Sequence, residues 1–254
     1  MKVIFYSLFA VVLAMRCGAA DINHAVMVSA DVAPANIEAI KSKLMPAFTD
    51  EFKRANGTNL GTAWTEAAHY GVVNRRISHH HLRFEIPDGH DIPWNSAPWG
   101  SATLDLDNSA VLGHGLRPGD YFEIKMRRLS QEGSLGVELF DSDQLRVGGD
   151  LTPDDSPLKG WNGITWMAVS FDAHGEPKAF DWNKAHTLGV LFDSADGSHA
   201  IFSYYVDDRY AGSWAIRTGN KKLDKIGVYT QSKTPGAVVQ FDSLRIYETK
   251  STVQ

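Results

Sequence analysis

The chain has 254 residues, 43% of them hydrophobic and 11% aromatic, and a formal net charge of −5. With 30 acidic against 25 basic side chains and no basic run interleaved with aromatic residues, nothing in it is built to attract nucleic acid or an anionic membrane. A single cysteine, Cys17, excludes an intrachain disulfide, so the fold must be held by its core, and the length suffices for one large β domain.

Residues 1–20 read as a signal peptide. Lys2 supplies the positive start, Val3 to Met15 form an apolar stretch shorter than a membrane span, and Gly18-Ala19-Ala20 places small residues at the cleavage site. Arg16 before Cys17 does not suit lipid attachment. The expected product is secreted, extracellular or periplasmic, with no membrane insertion of the mature chain and no cysteine left after cleavage.

Residues 21–47 form a distinct leader. Asp31 is placed to cap a helix with Pro34 in its first turn, and Ile37, Ile40 and Leu44 repeat at three- and four-residue spacing, which predicts a short helix over 35–45 that ends near Pro46.

From residue 70 onward the period is two. Phe122, Ile124 and Met126 alternate with Glu123, Lys125 and Arg127, and Leu135, Val137 and Leu139 alternate with Gly136, Glu138 and Phe140, the pattern of half-buried antiparallel strands. Further strands are expected over 71–77, 80–86, 101–106, 143–148, 163–171, 186–193, 199–206, 209–216, 224–230 and 237–247. A dozen short strands without internal repeat or linker predict an all-β, two-sheet antiparallel sandwich over residues 48–250.

The two ends of that sandwich carry a resemblance. The opening run Phe48-Thr49-Asp50-Glu51-Phe52 through Asn56-Gly57 to Trp64, with the closing run Val239-Gln240-Phe241-Asp242-Ser243-Leu244-Arg245-Ile246-Tyr247, resembles the ends of the concanavalin-like (laminin-G-like) jelly-roll superfamily. The run Tyr204-Tyr205-Val206-Asp207-Asp208 resembles the hairpin of laminin-G-like domains, with Asp208 where glycine is usual, a residue that tolerates left-handed backbone. The resemblance implies a jelly roll whose face and rim bind a polysaccharide or glycoconjugate. The same fold also hosts polysaccharide lyases, glycoside hydrolases and non-catalytic adhesion modules that contact protein. It implies a structural calcium bridging Asp50, Glu51 and Asp242; the alternative is that these acids are surface charges or turn acceptors.

Three further sets of residues carry chemistry. His79-His80-His81 reads as a polar strand start, with His79 and His81 on one face as two possible ligands of a transition metal. Trp94 and Trp99, in a proline-bracketed loop, and Trp161, in the turn Lys159-Gly160-Trp161-Asn162-Gly163, are sugar-stacking platforms or loop anchors. The Glu-x-Asp-x-x-Glu strand of laminarinase-type hydrolases is absent. Lys225-Ile226-Gly227-Val228-Tyr229-Thr230-Gln231 resembles the late strand of alginate-lyase-like enzymes, which implies Tyr229 as a catalytic candidate, although no Gln-x-His strand accompanies it. No organic cofactor is expected.

Overall fold

A computed structural model describes residues 36–70, 73–87, 99–130, 133–141, 144–151, 158–161, 166–168, 184–197, 199–217, 222–232 and 234–249. The expected signal peptide, the capping residues Asp31 and Pro34, and Trp94 lie outside them. In chain order the elements are α1 (Ile37–Lys41), β1 (Leu44–Asp50), β2 (Trp64–Tyr70), β3 (Asn74–Ser78), β4 (His81–Glu85), β5 (Trp99–Asp105), β6 (Tyr121–Arg128), β7 (Ser134–Asp141), β8 (Gln144–Leu151), β9 (Leu158–Trp161), β10 (Trp166–Ala168), β11 (His186–Ala195), β12 (His199–Val206), β13 (Arg209–Arg217), β14 (Lys225–Gln231) and β15 (Val238–Thr249).

The strands form two antiparallel sheets. One has eight strands in the order β13-β12-β11-β6-β15-β4-β3, with β1 joined to β15; the other has seven, in the order β10-β9-β8-β7-β14-β5-β2. The alternation read from sequence is the alternation that buries the core. Phe122, Ile124, Met126, Phe241, Leu244 and Ile246 of the first sheet meet Leu135, Val137, Leu139, Ile226 and Val228 of the second. The closing strand β15 is shared. Its first half pairs with β4, its second half with β1 (Leu44 with Thr249, Asp50 with Leu244), and β6 runs along its other side. The segments that open and close the sandwich are therefore paired strand to strand.

The leader helix is shorter than the spacing predicts. Asn36 caps it by accepting from the Glu38 N–H at 2.9 Å, and it stops at Lys41 because the chain turns at Ser42 and enters β1 two residues later. Leu44, assigned to the helix by its spacing, is instead the first residue of the sheet, and Pro46 is accommodated beside a register shift on a strand with one partner. The helix covers the outer face of the eight-stranded sheet, where Ile37 and Leu44 pack with Tyr121, Leu191 and Tyr205. Lys41 anchors it. Its Nζ lies 2.8 Å from Glu123 on β6 and 2.8 Å from Asp208 in the β12–β13 turn, and 5.5 Å from the centre of the Tyr121 ring. Burial pulls the lysine pKa down, but the two carboxylates outweigh it and hold the ammonium above its ordinary value. Glu123 also accepts from the Tyr247 hydroxyl at 3.2 Å. This aromatic layer depends on a missing side chain: a Cβ at Gly189 would stand 2.1 Å from the Tyr121 hydroxyl oxygen.

Two turns settle sequence questions. Asp207 and Asp208 both have positive φ (49° and 65°), as a two-residue hairpin turn with right-handed strand twist requires, so aspartate replaces glycine as expected. His79 and His80 likewise have φ of 53° and 65° and form the β3–β4 turn. His79 and His80 are thus the hairpin tip and His81 starts the strand, so His79 and His81 do not share a strand face. Histidine is among the residues enriched in left-handed backbone, and the His79 N–H is fixed by Asn56 Oδ1 at 2.9 Å.

Candidate functional site

Two regions bring together residues singled out from sequence. The first is the junction of the chain ends. Asp50, buried at the end of β1, accepts from the backbone N–H of Phe52 at 2.7 Å, from Trp64 Nε1 at 2.8 Å and from the Arg54 guanidinium. Phe52 has φ of 51°, a left-handed conformation costly for a bulky residue, and is held there by that bond and by tilted packing of its ring against Trp64 with centroids 5.6 Å apart. Glu51 faces solvent and pairs with Lys53 at 2.5 Å and Arg245 at 3.8 Å. The Lys53 ammonium lowers its carboxyl pKa. Asp242 accepts from Gln240 Nε2 at 2.6 Å and lies 3.0 Å from His81 Nδ1.

Each of the three carboxylates expected to share calcium is therefore already engaged by its own protein donors, with Lys53, Arg54 and Arg245 among them. Among the described residues no group of three or more His, Cys, Asp or Glu side chains is disposed to hold a metal. This donor set does not fit a hard cation, which wants several unshared oxygens.

The second region is the outer face of the seven-stranded sheet. Since Ile226 and Val228 of β14 face the core, Gly227 and Tyr229 face away from it, and on β7 the same holds for Gly136 and Glu138. Register places Tyr229 between Ser101 on β5 and Gly136 on β7, and Glu138 between Gly227 on β14 and Gly148 on β8. Tyr229 and Glu138 are thus diagonal neighbours across one strand pair, roughly 7–8 Å apart at the backbone. Both are 1% exposed. A Cβ at Gly227 would come 2.8 Å from the Phe140 ring and 3.4 Å from Glu138 Oε2, so the glycine makes room for the Glu138 carboxylate to lie over β14. On the far side of Gly227 the Thr103 and Thr65 hydroxyls bond each other at 2.6 Å.

Of the tryptophans expected in loops, Trp99 and Trp161 belong to strands of this sheet, and Trp94 lies outside the described residues. Trp99 is the first residue of β5, paired with Gln231, and Trp161 the last of β9, paired with Gly148 and Trp166. The glycines and asparagine around Trp161 imitate a turn, but pairing with β8 overrides them. Trp161 falls in the cross-strand row of Glu138, and Asp150 in that of Tyr229. Glu138 was not singled out from sequence. Its signal was an acid between glycine and phenylalanine on the polar face of a strand whose other face is core.

No family model matches the chain, and no curated protein matches it by sequence. Among solved structures, a β-glucanase of Bacillus licheniformis matches with a TM-score of 0.50 at 14% identity, over 80% of this chain and 98% of that one. The fold is a concanavalin-like jelly roll. An endo-acting O-glycanase of the human gut microbiota matches with a TM-score of 0.49 at 12% identity, over 80% of this chain and 98% of that one. The carbohydrate recognition domain of Emp46p matches with 0.48 at 12%, over 73% and 88%. At these identities the likeness is one of architecture, and the roles of residues in this jelly roll rest on its own geometry.

One group predicts a pH effect. Burial holds the His81 imidazole below its ordinary value of 6.5; Asp242 opposes this, while Arg127, Arg83 and His80 reinforce it. The folded state thus binds the proton less readily than the unfolded chain, so this histidine removes stability as pH falls through 6.5 toward the folded value. His81→Asn is expected to lose less stability between neutral and mildly acidic pH than the wild type, measured as the shift in urea midpoint. Equal shifts in the two proteins would refute this assignment.

Proposed function

We propose that the protein is a secreted jelly-roll module of laminin-G-like type that binds a polysaccharide or glycoconjugate on the outer face of its seven-stranded sheet. The observation that carries this reading is the convergence on one sheet of three residues nominated separately from sequence, Tyr229, Trp99 and Trp161, joined there by Glu138. Tyr229, Glu138, Trp99 and Trp161 occupy rows that alternate with the core rows, interspersed with Gly136, Gly148 and Gly227. Acids, hydroxyls and indoles set over glycines are the groups that hold a pyranose. That a glucanase shares the architecture is in keeping with this.

The test is an oligosaccharide array followed by calorimetry on the ligand found. Trp161→Ala or Trp99→Ala is expected to weaken binding by roughly 1–2 kcal/mol, the scale of an aromatic contact with its buried area. No glycan bound at all would remove the reading.

The diagonal pairing of Tyr229 with Glu138 favours one second reading, a lyase or hydrolase of uronate or neutral polymers at the same place. In a lyase the Tyr229 phenolate would take the proton from C5 as the C4–O bond breaks, and the phenol so formed would return it to the departing sugar oxygen, leaving a C4–C5 double bond; the carboxylate would act as acid or base in a hydrolase. Products absorbing in the near ultraviolet from a uronate polymer, lost in Tyr229→Phe with binding retained, would establish the lyase.

A further inference from the structure

The opposite side of the molecule carries a feature that no stretch of sequence displays. On the outer face of the eight-stranded sheet, register sets Arg76 of β3 opposite Arg83 of β4, Arg83 opposite Gln240 of β15, and Gln240 opposite Arg127 of β6. The four positions form one straight row across four strands, roughly 14 Å from end to end at ordinary strand spacing. Their strand neighbours Ile77, Leu82, Phe84, Met126 and Phe241 are core, so the row faces outward. Lys125 on β6 is exposed beside it, and His81 lies close enough to Arg83 and Arg127 for both to lower its pKa.

The counter-charges do not neutralise the row. Arg76 pairs with Glu85 at 3.0 Å. Arg83 donates from Nε to the neutral Gln240 Oε1 at 3.1 Å, while Gln240, fully buried, is fixed by donating to Asp242. Arg127 makes no hydrogen bond or ion pair with any described residue, and its Nε is buried with no partner. Two half-buried guanidinium groups thus flank a rigid amide without a carboxylate of their own, an expensive arrangement for a protein that could have used a Glu at either place.

From this geometry we infer a second ligand site, for a polysaccharide bearing carboxylate or sulfate groups, laid along the Arg76–Arg83–Gln240–Arg127 row. Guanidinium forks bind planar or tetrahedral oxyanions through two parallel N–H bonds, and Gln240 holds the Arg83 fork in place. Glu85 and Asp242 at the sides of the row repel a densely charged polymer, and among the described residues no large aromatic side chain is exposed there to stack a base. A sparsely charged glycan suits the row better than a nucleic acid.

The experiment is binding of the protein to two sparsely charged glycans, keratan sulfate for sulfate and hyaluronan for carboxylate, over a series of salt concentrations. At least one is expected to bind in a salt-dependent way. Arg83→Gln/Arg127→Gln is expected to weaken it by roughly tenfold or more and to lower the salt slope by about one per arginine removed. The charge-matched Lys43→Gln/Lys53→Gln should leave binding unchanged. Arg127→Lys, which keeps the charge and loses the fork, should bind more weakly than wild type while melting at the same temperature, which separates recognition from folding. Trp161→Ala should not affect this binding, so it and the glycan site on the other sheet can fail independently. Failure of both polymers to bind would overturn the site. So would equal weakening in the lysine control, or a single-stranded oligonucleotide that binds as tightly through the same arginines.

Discussion

Asp50→Ala is expected to destabilise the protein by about 3 kcal/mol, the scale of breaking a buried charged pair together with two further hydrogen bonds. For a domain of this size that lowers the melting temperature by roughly 6–12 °C. The substitution strands the Arg54 guanidinium, leaves Trp64 Nε1 without its acceptor and releases the N–H that keeps Phe52 left-handed. Glu51→Ala, one residue on and exposed, should stay within about 0.5 kcal/mol. Denaturant titration of the two variants measures the contrast, and equal effects would show that Asp50 is not the anchor. The same samples test the metal: because these carboxylates are engaged by protein donors, excess calcium is expected to leave the melting temperature unchanged. A calcium-dependent rise that Asp242→Ala abolishes would restore the bridging ion.

Gly189→Ala should be almost as damaging, at about 2–3 kcal/mol, the range for overpacking a rigid site. The added methyl would lie 2.1 Å from the Tyr121 hydroxyl oxygen and 2.8 Å from its Cζ, so the ring must leave its place beneath α1. Tyr121 meets Tyr205 edge-on at 6.4 Å and Tyr247 at 5.8 Å, and burial has raised its pKa far beyond that of a free phenol. Its displacement should therefore disturb the helix contact and the near-ultraviolet circular dichroism together. Tyr121→Ala is itself costly, but combined with Gly189→Ala it should cost far less than the sum, since the collision has gone. Additive losses would show that the glycine matters for another reason.

These two sites show what sequence could and could not convey. The strands around Phe122, Leu135 and Val190 were legible because one side chain in two is buried, and that periodicity is local. The hairpin at Asp207-Asp208 was legible because backbone handedness restricts residue type. Trp161 was misread because its glycine and asparagine neighbours signal a turn, while its pairing with Gly148 is a tertiary event. The turn at His79-His80 was not legible because a turn with two left-handed residues needs no glycine when neighbouring strands impose it, whereas the strand beginning at His81 was. Asp50 was nominated for its charge, but its partners Arg54 and Trp64 emerge only when the loop after β1 folds back. The arginine row and the Glu138–Tyr229 diagonal are wholly matters of register, which joins residues from strands far apart in the chain.

The shared strand β15 also sets an order of events in time. It is synthesised after every other described strand, yet β1, β4 and β6 all hydrogen-bond to it, and Leu44 finds its partner only in Thr249. Until that strand arrives, the eight-stranded sheet lacks a central member and three of its strands present unpaired edges. Folding dominated by such distant pairings is slow, and the waiting edges are sticky. Removing residues 238–249 should therefore yield aggregates and not a smaller folded domain.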